Sequence, residues 1–514
     1  MASPSNLLFL FFLFFTITTQ SFFLSSCHGY STFGFNIHHR FSDQVKGILG
    51  TQGLPQIGTP HYYVAMAHRD RVFHGRRLAT AAAAAGDRKP PLTFSAGNDT
   101  IDIPAFGSLH FANVSVGTPP LWFLVALDTG SDLFWVPCNC SSCVKGIQTQ
   151  NGKIDFNIYD LDQSSTSKEV LCNSSLCGDQ KQCSSSTSSC QYQVDYLSAD
   201  TSSKGFLVED VLHLITDDDQ TKDVKAQITL GCGQIETGTF LNGAAPNGLF
   251  GLGMENMSVP SVLAIQGLTS NSFSMCFGSD GFGKITFGDS GSLDQGKTPF
   301  TVRASHPTYN ITITQIILGG KAADVEFYAI FDSGTSYTYL NDPAYTQITE
   351  KFDSLMKAPR HSSQSTSDLP FEYCYDTSPN QSVEVPYLNL TMKGGDDYPV
   401  MDPTVTVSNG IAEIICLAVV KSDNVNIIGQ NFMTGYRIVF DRDNMNLGWK
   451  QSNCYDDVLT STLPANKSHS PAVSPAEAAN PTVTSDPSRN PGKLSSHSSR
   501  IKPIFALMIV LFLL

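Results

Sequence analysis

The strongest constraint on the fold of this 514-residue chain is a sequence pattern that occurs twice. Residues 123–136 and 327–340 each contain an apolar stretch, a turn of the form Asp–hydroxyl–Gly–hydroxyl, and a second apolar stretch. Downstream of each copy lies an apolar pair followed by glycine, at 249–251 and at 427–429. Apolar stretches that flank a tight turn are typical of paired β-strands. The repeat therefore predicts two homologous lobes, each of which presents one carboxylate at the tip of a turn.

The two turns carry the groups that acid–base chemistry requires. Asp128 and Asp332 supply the carboxylates, and we expect the other turn residues to support them: Thr129, Gly130, Ser131, Ser333, Gly334 and Thr335. Two carboxylates that share one site do not both ionise easily, because like charges a few ångströms apart repel. We expect one to hold a proton while the other activates a water molecule for attack on a peptide carbonyl. The hydroxyls of Ser131 and Thr335 are expected to hydrogen-bond the outer carboxylate oxygens.

Composition and patterning predict an all-β body. The sequence has 40 glycines and 27 prolines, and 15% of its residues are charged. Alternating apolar stretches recur between turn residues, and the clearest are 111–117, 121–127, 205–215, 283–287, 309–318 and 436–441. Short helices are expected around 260–266 and 342–355. Residues 96–460 carry 19 basic and 41 acidic side chains, a net charge of −22, which argues against nucleic-acid binding.

The two turns, in this order and at this spacing, resemble the active-site motifs of pepsin-like aspartic endopeptidases. The resemblance spans about residues 108–455, and the two apolar–apolar–Gly segments are similar to the strands that this family threads through its active-site loops. It implies a two-lobed all-β fold with a cleft between the lobes, a monomer, polypeptide substrates hydrolysed at acidic pH, and no cofactor or metal. It also implies a β-hairpin flap that carries Tyr196, with Trp135 as its hydrogen-bonding partner.

A cysteine-rich insertion after the first turn is similar to that of the plant nepenthesin- and nucellin-like branch. With its C-terminus, the chain most resembles the GPI-anchored aspartyl protease family protein 1 group of plants. The family pattern implies five disulfides and leaves Cys138–Cys140 as a sixth pair; the five are Cys143–Cys232, Cys172–Cys190, Cys177–Cys183, Cys276–Cys454 and Cys374–Cys416.

Both ends have the composition of targeting segments. Residues 1–28 contain a short apolar run typical of a signal peptide, and residues 501–514 follow a Ser/Pro-rich stalk (457–500) as a GPI-attachment signal does. These features predict secretion and anchoring at the extracellular face of the plasma membrane. Candidate N-glycosylation triplets begin at Asn98, Asn113, Asn173, Asn256, Asn310, Asn380, Asn389 and Asn466; the triplet at Asn139 contains a cysteine.

Residues 29–95 precede the two lobes, which are predicted to span 96–298 and 299–456. This leader carries eight Lys/Arg against three Asp/Glu, and it shows no clear strand pattern. We interpret it as a weakly structured propeptide that the acidic body holds by charge and that acid helps to release. A disordered tail is the alternative.

Other interpretations of the motifs carry less weight. The turn Asp289–Ser292 repeats the Asp pattern but follows a glycine and is not continued by a strand. With Gly288 it also resembles the nucleophile turn of trypsin-like proteases, but no body histidine lies in a recognisable base motif. A zinc site at Cys138, Cys140 and Cys143 is less consistent with secretion than disulfides are. The rival function is a non-catalytic binding or inhibitor protein on the same fold, which would be expected to lack part of one turn.

Overall fold

The computed structural model describes residues 32–51, 54–74, 92–93, 100–101, 109–149, 152–177, 183–196, 201–216, 223–302, 307–362, 369–377, 383–408, 410, 412–423 and 425–455. The predicted signal peptide, stalk and C-terminal tail lie outside these residues, as do Asn98, Asn380 and Asn466. Among the residues it describes, no helix is both long and apolar enough to cross a membrane.

β-Strand is the main secondary structure of the described residues. The strands up to residue 299 are β1 (Phe33–His39), β2 (Leu92–Thr93), β3 (Thr100–Ile101), β4 (His110–Val116), β5 (Leu121–Asp128), β6 (Trp135–Ser142), β7 (Gly146–Thr149), β8 (Gly152–Asp155), β9 (Lys168–Glu169), β10 (Gln191–Asp195), β11 (Ser202–Thr216), β12 (Asp223–Glu236), β13 (Leu249–Gly251), β14 (Ser272–Phe277), β15 (Phe282–Phe287) and β16 (Gly296–Pro299). The later strands are β17 (Asn310–Leu318), β18 (Lys321–Phe331), β19 (Thr338–Leu340), β20 (Cys374–Asp376), β21 (Leu388–Met392), β22 (Asp397–Val400), β23 (Thr404–Ser408), β24 (Glu413–Leu417), β25 (Val419–Lys421), β26 (Ile427–Ile428), β27 (Tyr436–Asp441) and β28 (Asn446–Gln451).

The helices are few and short. They are α1 (Asp43–Leu49), α2 (Pro60–His74), α3 (Val259–Ile265), α4 (Ala344–Leu355) and α5 (Gln430–Met433), with 3₁₀ turns at Leu161–Gln163, Ser175–Cys177 and Gly238–Asn242. The helices expected around 260–266 and 342–355 are α3 and α4, so both predictions are confirmed. The six predicted strands are also confirmed, as β4, β5, β11, β15, β17 and β27.

Two large sheets form the two lobes. A 14-stranded sheet has the order β10-β11-β12-β6-β13-β5-β4-β1-β15-β14-β27-β28-β16, with β9 paired to β11. A seven-stranded sheet has the order β22-β21-β17-β18-β26-β19-β25, and β20-β24-β23 form a smaller sheet beside it. Because β27 pairs with β14 and β28 pairs with β27, strands from the second half of the chain complete the sheet of the first. The predicted two-lobed all-β fold is confirmed.

Residues 32–51 and 54–74 of the leader are structured, which corrects the prediction of a weakly structured segment for this part of the chain. Its strand β1 pairs antiparallel with β15 and contributes Phe33, Phe35 and Ile37 to the main core, where each is at most 4% exposed. Apolar residues at every second position are a strand signal, and these three residues carried it in the sequence. Helix α2 packs Tyr63 and Val64 into a second apolar cluster beside the second lobe. Apolar burial therefore holds the leader, in addition to any attraction between opposite charges.

The disulfides differ from the family pattern in the cysteine-rich insertion. The structure pairs Cys138–Cys232, Cys140–Cys143, Cys172–Cys183 and Cys177–Cys190, so the expected Cys138–Cys140, Cys143–Cys232, Cys172–Cys190 and Cys177–Cys183 are wrong. The expected Cys276–Cys454 and Cys374–Cys416 are present.

Strand register explains the new pairs. Strands β6 and β12 run parallel with Val136 opposite Cys232, and both Cys138 and Cys232 are fully buried with Cα atoms 4.9 Å apart. Cys143 lies beyond the end of β6 and meets Cys140 across a three-residue separation. The Cys190 amide donates to the carbonyl of Val170, so Cys190 does not lie opposite Cys172.

We expect the Cys138–Cys232 bridge to stabilise the fold strongly. It closes a loop over a separation of 94 residues, and its removal by Cys138→Ser with Cys232→Ser should lower the free energy of unfolding by roughly 2–5 kcal/mol. The matched control, Cys140→Ser with Cys143→Ser, opens only a three-residue separation and should cost less. Denaturant unfolding measures both. Recovery of a Cys143–Cys232 peptide from the non-reduced protein would contradict this pairing.

One predicted glycosylation site is inconsistent with the fold. Asn310 is 7% exposed and its amide nitrogen donates to the carbonyl of Thr301, so a glycan has no room there. Asn173 and Asn256 are exposed, and Asn113 and Asn389 are half-buried. Use of these four sites stays a prediction.

Candidate active site

Each predicted catalytic aspartate lies where a strand ends and a second strand threads beside it. Strand β13 runs parallel to β5 and places Gly251 opposite Asp128. Strand β26 runs parallel to β18, whose last residue, Phe331, precedes Asp332. The prediction that the two apolar–apolar–Gly segments thread the active-site loops is therefore confirmed.

Glycine is required where the threading strands leave the loops. A Cβ atom on Gly251 would lie 2.2 Å from the carbonyl oxygen of Asp132, and one on Gly429 would lie 2.2 Å from that of Tyr337. No side chain fits at such distances. The same steric constraint in both lobes explains why the two segments share a sequence pattern.

The two carboxylates approach one another from the two lobes. Asp128 Oδ1 accepts a hydrogen bond from the amide of Gly130 at 2.8 Å, and Asp332 Oδ1 accepts one from the amide of Gly334 at 2.9 Å. A Cβ on Gly334 would lie 3.1 Å from Asp332 Oδ1 and 3.8 Å from Asp128 Oδ1. The two oxygens therefore flank one small space, which the absence of a side chain at residue 334 leaves open.

The turn hydroxyls play different parts. Thr335 Oγ1 donates to Asp332 Oδ2 at 2.9 Å, as expected. The hydroxyls of Thr129 and Ser333 lie 3.4 Å apart and link the two turns. The expectation for Ser131 is wrong, because its buried hydroxyl makes no hydrogen bond to Asp128. The Gly253 amide holds the Ser131 carbonyl at 2.8 Å, and the hydroxyl lies on the side of Tyr196 instead.

Tyr196 lies at the end of β10, where the predicted flap begins. Trp135 Nε1 donates to the Tyr196 hydroxyl at 2.8 Å, and the ring of Phe240 packs edge-on against both aromatic rings. Burial raises the pKa of Tyr196 well above its ordinary value, as does the nearby charge of Asp128, so the phenol stays protonated. The turn of the flap, 197–200, lies outside the described residues.

A cleft of about 770 Å³ collects these groups. Its lining includes both aspartates, Gly334, Tyr196, Leu133 and Phe240. This volume lies within the range of small-molecule and peptide-side-chain sites. The cleft therefore has room for several side chains of an extended peptide beside the carboxylates.

The leader enters this cleft, which sequence reasoning did not predict. Arg69 of α2 lines the cleft, and its guanidinium donates to the carbonyl oxygen of Gly334 at 2.9 Å. The next residue, Asp70, pairs with Arg69 at 2.9 Å and accepts hydrogen bonds from Ser336 and Tyr337. Both side chains are at most 2% exposed. Their positions depend on contacts across more than 260 residues, so no local pattern could have indicated them.

Two further acidic residues at the cleft were also missed. The Glu255 amide donates to Asp132 Oδ1 at 2.8 Å, and both residues line the cleft. Burial raises the pKa of Asp132, and the nearby charges of Glu255 and Asp128 act in the same direction. In the sequence, only the position of Asp132 directly after the first Asp turn could have indicated an additional acidic residue at the cleft.

The third Asp turn has a structural role. Asp289 follows β15, binds the guanidinium of Arg437 on β27 and accepts a hydrogen bond from the amide of Gly291. It does not line the cleft. The sequence argument against a catalytic role is consistent with this placement.

A buried carboxyl group lies at the base of the flap hairpin. Glu236 is opposite Ser203 at the start of β11, and its side chain is fully buried. Burial raises the pKa of Glu236 to about 8, against the opposing effect of the Val144 amide. The group is therefore protonated in the folded protein at acidic and neutral pH.

We expect Glu236 to make the fold less stable at neutral pH than in acid. In the unfolded chain the Glu236 carboxyl group ionises above its ordinary pKa of 4.5. Its contribution to the free energy of unfolding is therefore fully present below pH 4.5 and is lost as the pH rises towards 8. Glu236→Gln should remove this loss. Between pH 4.5 and pH 7.5 the variant should therefore gain roughly 3–5 kcal/mol in free energy of unfolding relative to the wild type. Thermal unfolding at the two pH values, with exposed Glu326→Gln as control, measures it. Equal pH dependence in all three proteins would contradict it.

Comparison with known proteins agrees with this geometry. The family model described as "Xylanase inhibitor N-terminal" matches residues 110–289, and "Xylanase inhibitor C-terminal" matches residues 308–451. The chain is 54% identical to "Aspartyl protease family protein 1" of Arabidopsis thaliana over 92% of each chain. It is 26% identical to "Aspartic proteinase nepenthesin-2" of Nepenthes gracilis over 67% of this chain and 78% of that protein.

Solved structures share the fold at lower identity. The basic 7S globulin from soybean superposes with a TM-score of 0.53 at 20% identity, over 67% of this chain and 92% of its own. The structure described as "edgp" superposes with a TM-score of 0.54 at 20% identity, over 68% and 95%. Together with the two Asp turns and the sequence relatives, this places the chain in the pepsin-like family of plant aspartyl proteases.

Proposed function

We propose that this protein is an aspartic endopeptidase that hydrolyses polypeptides at acidic pH. The observation that carries the proposal is the position of Asp128 and Asp332, whose Oδ1 atoms flank one space at Gly334. Hydrogen bonds from Gly130, Gly334 and Thr335 orient the carboxylates and leave them facing the cleft. Fixed donors of this kind stabilise a carboxylate at the geometry that catalysis needs.

The chemistry that follows needs one proton shared by the pair. The ionised carboxyl group takes a proton from a water molecule between the aspartates, and the water oxygen attacks the carbonyl carbon of the peptide. The protonated carboxyl group donates its proton to the carbonyl oxygen, which gives a neutral gem-diol. The C–N bond then breaks as a hydroxyl of the diol returns its proton to the carboxylate and the other, now protonated, carboxyl group gives its proton to the amide nitrogen. The starting protonation state is restored.

A non-catalytic binding protein is the second candidate. Its support is the description of the matching family models as xylanase inhibitor. The completeness of both Asp turns in this chain favours hydrolysis, because a binding protein has no need of two facing carboxylates.

Hydrolysis of an unfolded protein substrate distinguishes the two candidates. The full-length protein is incubated at pH values from 3 to 7, with and without a metal chelator, and new amino termini are counted. We expect cleavage that is fastest in acid and is unchanged by the chelator. An absence of cleavage at every pH, in protein whose leader has been removed, would favour the binding function.

The leader supports synthesis as an inactive precursor. Arg69 donates to Gly334 beside both aspartates, and Asp70 fills the space beside Ser336, so a substrate has no access to this part of the cleft. On this proposal residues 29–95 form a propeptide that must leave before hydrolysis begins.

The sequence supports secretion and a GPI anchor at the extracellular face of the plasma membrane. Residues 1–28 and 501–514 carry this part of the proposal, with the disulfides as support from the fold. We expect a phosphatidylinositol-specific phospholipase to release the protein from membranes into the aqueous phase. A chain truncated before residue 501 should be secreted without treatment. Retention in the detergent phase after treatment would contradict the anchor.

A further inference from the structure

Four hydrogen-bond donors converge immediately after the second catalytic turn. They are the amide and hydroxyl of Ser336, the amide of Tyr337 and the hydroxyl of Tyr339. We call these four donors together the carboxylate pocket. All four donate to the side chain of Asp70. The distances are 2.7 Å from Ser336 Oγ, 3.0 Å from the Ser336 amide, 3.3 Å from the Tyr337 amide and 3.2 Å from Tyr339 Oη.

The pocket has the form of an anion site. Two successive backbone amides that point to one place form a concavity that binds anions. The donors also reach both oxygens of the carboxylate, since Ser336 Oγ donates to Oδ1 while Tyr337 and Tyr339 donate to Oδ2. A single peptide carbonyl oxygen does not satisfy donors that are spread over two acceptor atoms. The pocket is therefore complementary to a carboxylate.

The pocket belongs to the body, and its present ligand belongs to the leader. Asp70 also pairs with its neighbour Arg69, so this ion pair leaves the cleft together with the leader. The four donors then lose their acceptor. Water then solvates these donors, and a charged acceptor that enters the pocket regains hydrogen bonds that contribute about 1.5–3 kcal/mol each.

The place of the pocket decides what that acceptor is. Ser336 lies two residues after Gly334, whose carbonyl faces the cleft and whose missing side chain opens the space between the catalytic carboxylates. We propose that the pocket binds the side-chain carboxylate of an aspartate or glutamate of the substrate, and that the enzyme therefore prefers an acidic residue near the scissile bond. The substrate half of this inference rests on the proposed endopeptidase function. On this inference Asp70 occupies the pocket in the precursor as a substrate side chain does later.

The first test asks whether the pocket holds Asp70, and it does not depend on the activity of the protein. In the full chain with Asp128→Asn, which prevents self-cleavage, trypsin at neutral pH cuts the leader after Arg69 and Arg71 only when α2 is displaced. We expect Tyr339→Phe and Ser336→Ala to speed these cuts about tenfold, since each removes a hydrogen bond to a charged group.

Tyr375→Phe is the matched control. Like Tyr339→Phe it removes the hydroxyl of a buried tyrosine that donates to a carboxylate, but its acceptor is Asp353 and not Asp70. The cutting rate of this variant should equal that of the parent. Equal rates in all four proteins would show that the pocket does not hold Asp70, and the inference would be wrong.

The second test asks whether the pocket selects substrate. After acid activation, the wild-type chain is given libraries of peptides that differ by Glu or Gln at each position around one cleavage site. We expect kcat/KM to be about tenfold higher for Glu than for Gln at one position at pH 5, and Tyr339→Phe to reduce this ratio towards one. Tyr375→Phe should keep the ratio.

The outcomes separate this inference from the proposed function. Cleavage without a Glu preference at any position would show that the pocket serves only the leader, which overturns the substrate half. Failure of the wild type to cleave any peptide would overturn the proposed function and the substrate half together. The trypsin result would still decide whether the pocket binds a carboxylate.

Discussion

Replacement of Asp128 by Asn, or of Asp332 by Asn, is expected to lower kcat for peptide hydrolysis by at least about 10³-fold. Asparagine keeps the shape of the side chain but neither takes a proton from water nor donates one from a carboxyl group. The hydrogen bonds from Gly130 and Gly334 reach the Oδ1 atoms, and the amide oxygen of asparagine still accepts them. Both variants should therefore fold, and a circular dichroism melt beside the rate assay checks this.

The matched control for this prediction is Asp289→Asn. Asp289 lies in a turn of the same sequence type and accepts the equivalent hydrogen bond from Gly291, but it faces Arg437 and not the cleft. This variant should keep the activity per folded molecule while losing some stability, because Arg437 loses its partner. Substantial activity in either Asp128→Asn or Asp332→Asn would end the aspartic-protease assignment.

The site could be anticipated where its geometry depends on neighbouring residues. The amide of Gly130 holds the Asp128 carboxylate, and the amide of Gly334 and the hydroxyl of Thr335 hold that of Asp332. A few consecutive residues therefore determine the geometry of each turn. The threading glycines, Gly251 and Gly429, were visible because a steric constraint leaves a single residue type possible. Local chemistry therefore predicted the two carboxylates and the strands around them.

What could not be anticipated depends on register and on distant contacts. The choice of Cys138 over Cys143 as partner of Cys232 follows from the parallel alignment of β6 with β12, which cysteine spacing does not contain. The contact of Asp70 with Ser336 spans 266 residues, and the Ser131 hydroxyl lies on the side of Tyr196, which is distant in the sequence. The family resemblance predicted the disulfides Cys276–Cys454 and Cys374–Cys416 correctly, but the pairings that it implied for the cysteine-rich insertion were wrong.

Three buried histidines lie where the leader meets the body. His38 and His39 are on β1, His110 is on β4, and all three are at most 8% exposed. The rings of His39 and His110 are 5.2 Å apart, and His110 also packs against Phe277. These contacts connect the leader strand to the large sheet, so a charge that appears on the histidines weakens the attachment of the leader.

The surroundings of these histidines oppose their protonation. Burial lowers the pKa of His39 to about 4, and the charges of Arg69 and Arg40 act in the same direction, while a hydrogen bond with Gln430 opposes them. Burial also lowers the pKa of His110 well below its ordinary value, and neighbouring His39, His38 and Arg69 add to this effect. Burial lowers the pKa of His38, and only the carboxylate of Asp280 acts against it.

The direction of the pH dependence follows from these shifts. In a released leader His39 has its ordinary pKa of 6.5, so above that value it is neutral in both states and attachment is complete. Between pH 6.5 and 4 the released form binds a proton that the attached form does not, so attachment weakens as pH falls. For His39 alone the loss reaches about 3 kcal/mol at pH 4. Acid release of the leader stays a prediction, and the buried histidines are an additional cause of its expected pH dependence.

We expect His39→Gln to shift the midpoint of acid release to lower pH by about half a unit or more, because glutamine is uncharged throughout this range. Amide hydrogen exchange of residues 33–39, followed from pH 7 to pH 4 in the Asp128→Asn chain, measures attachment of β1 without self-cleavage. His361→Gln, a histidine of the second lobe that pairs with Asp376, is the matched control and should keep the parent midpoint. If His39→Gln releases its leader at the same pH as the parent, the buried histidines do not sense acid. The carboxylates of the body would then be the remaining source of the pH dependence.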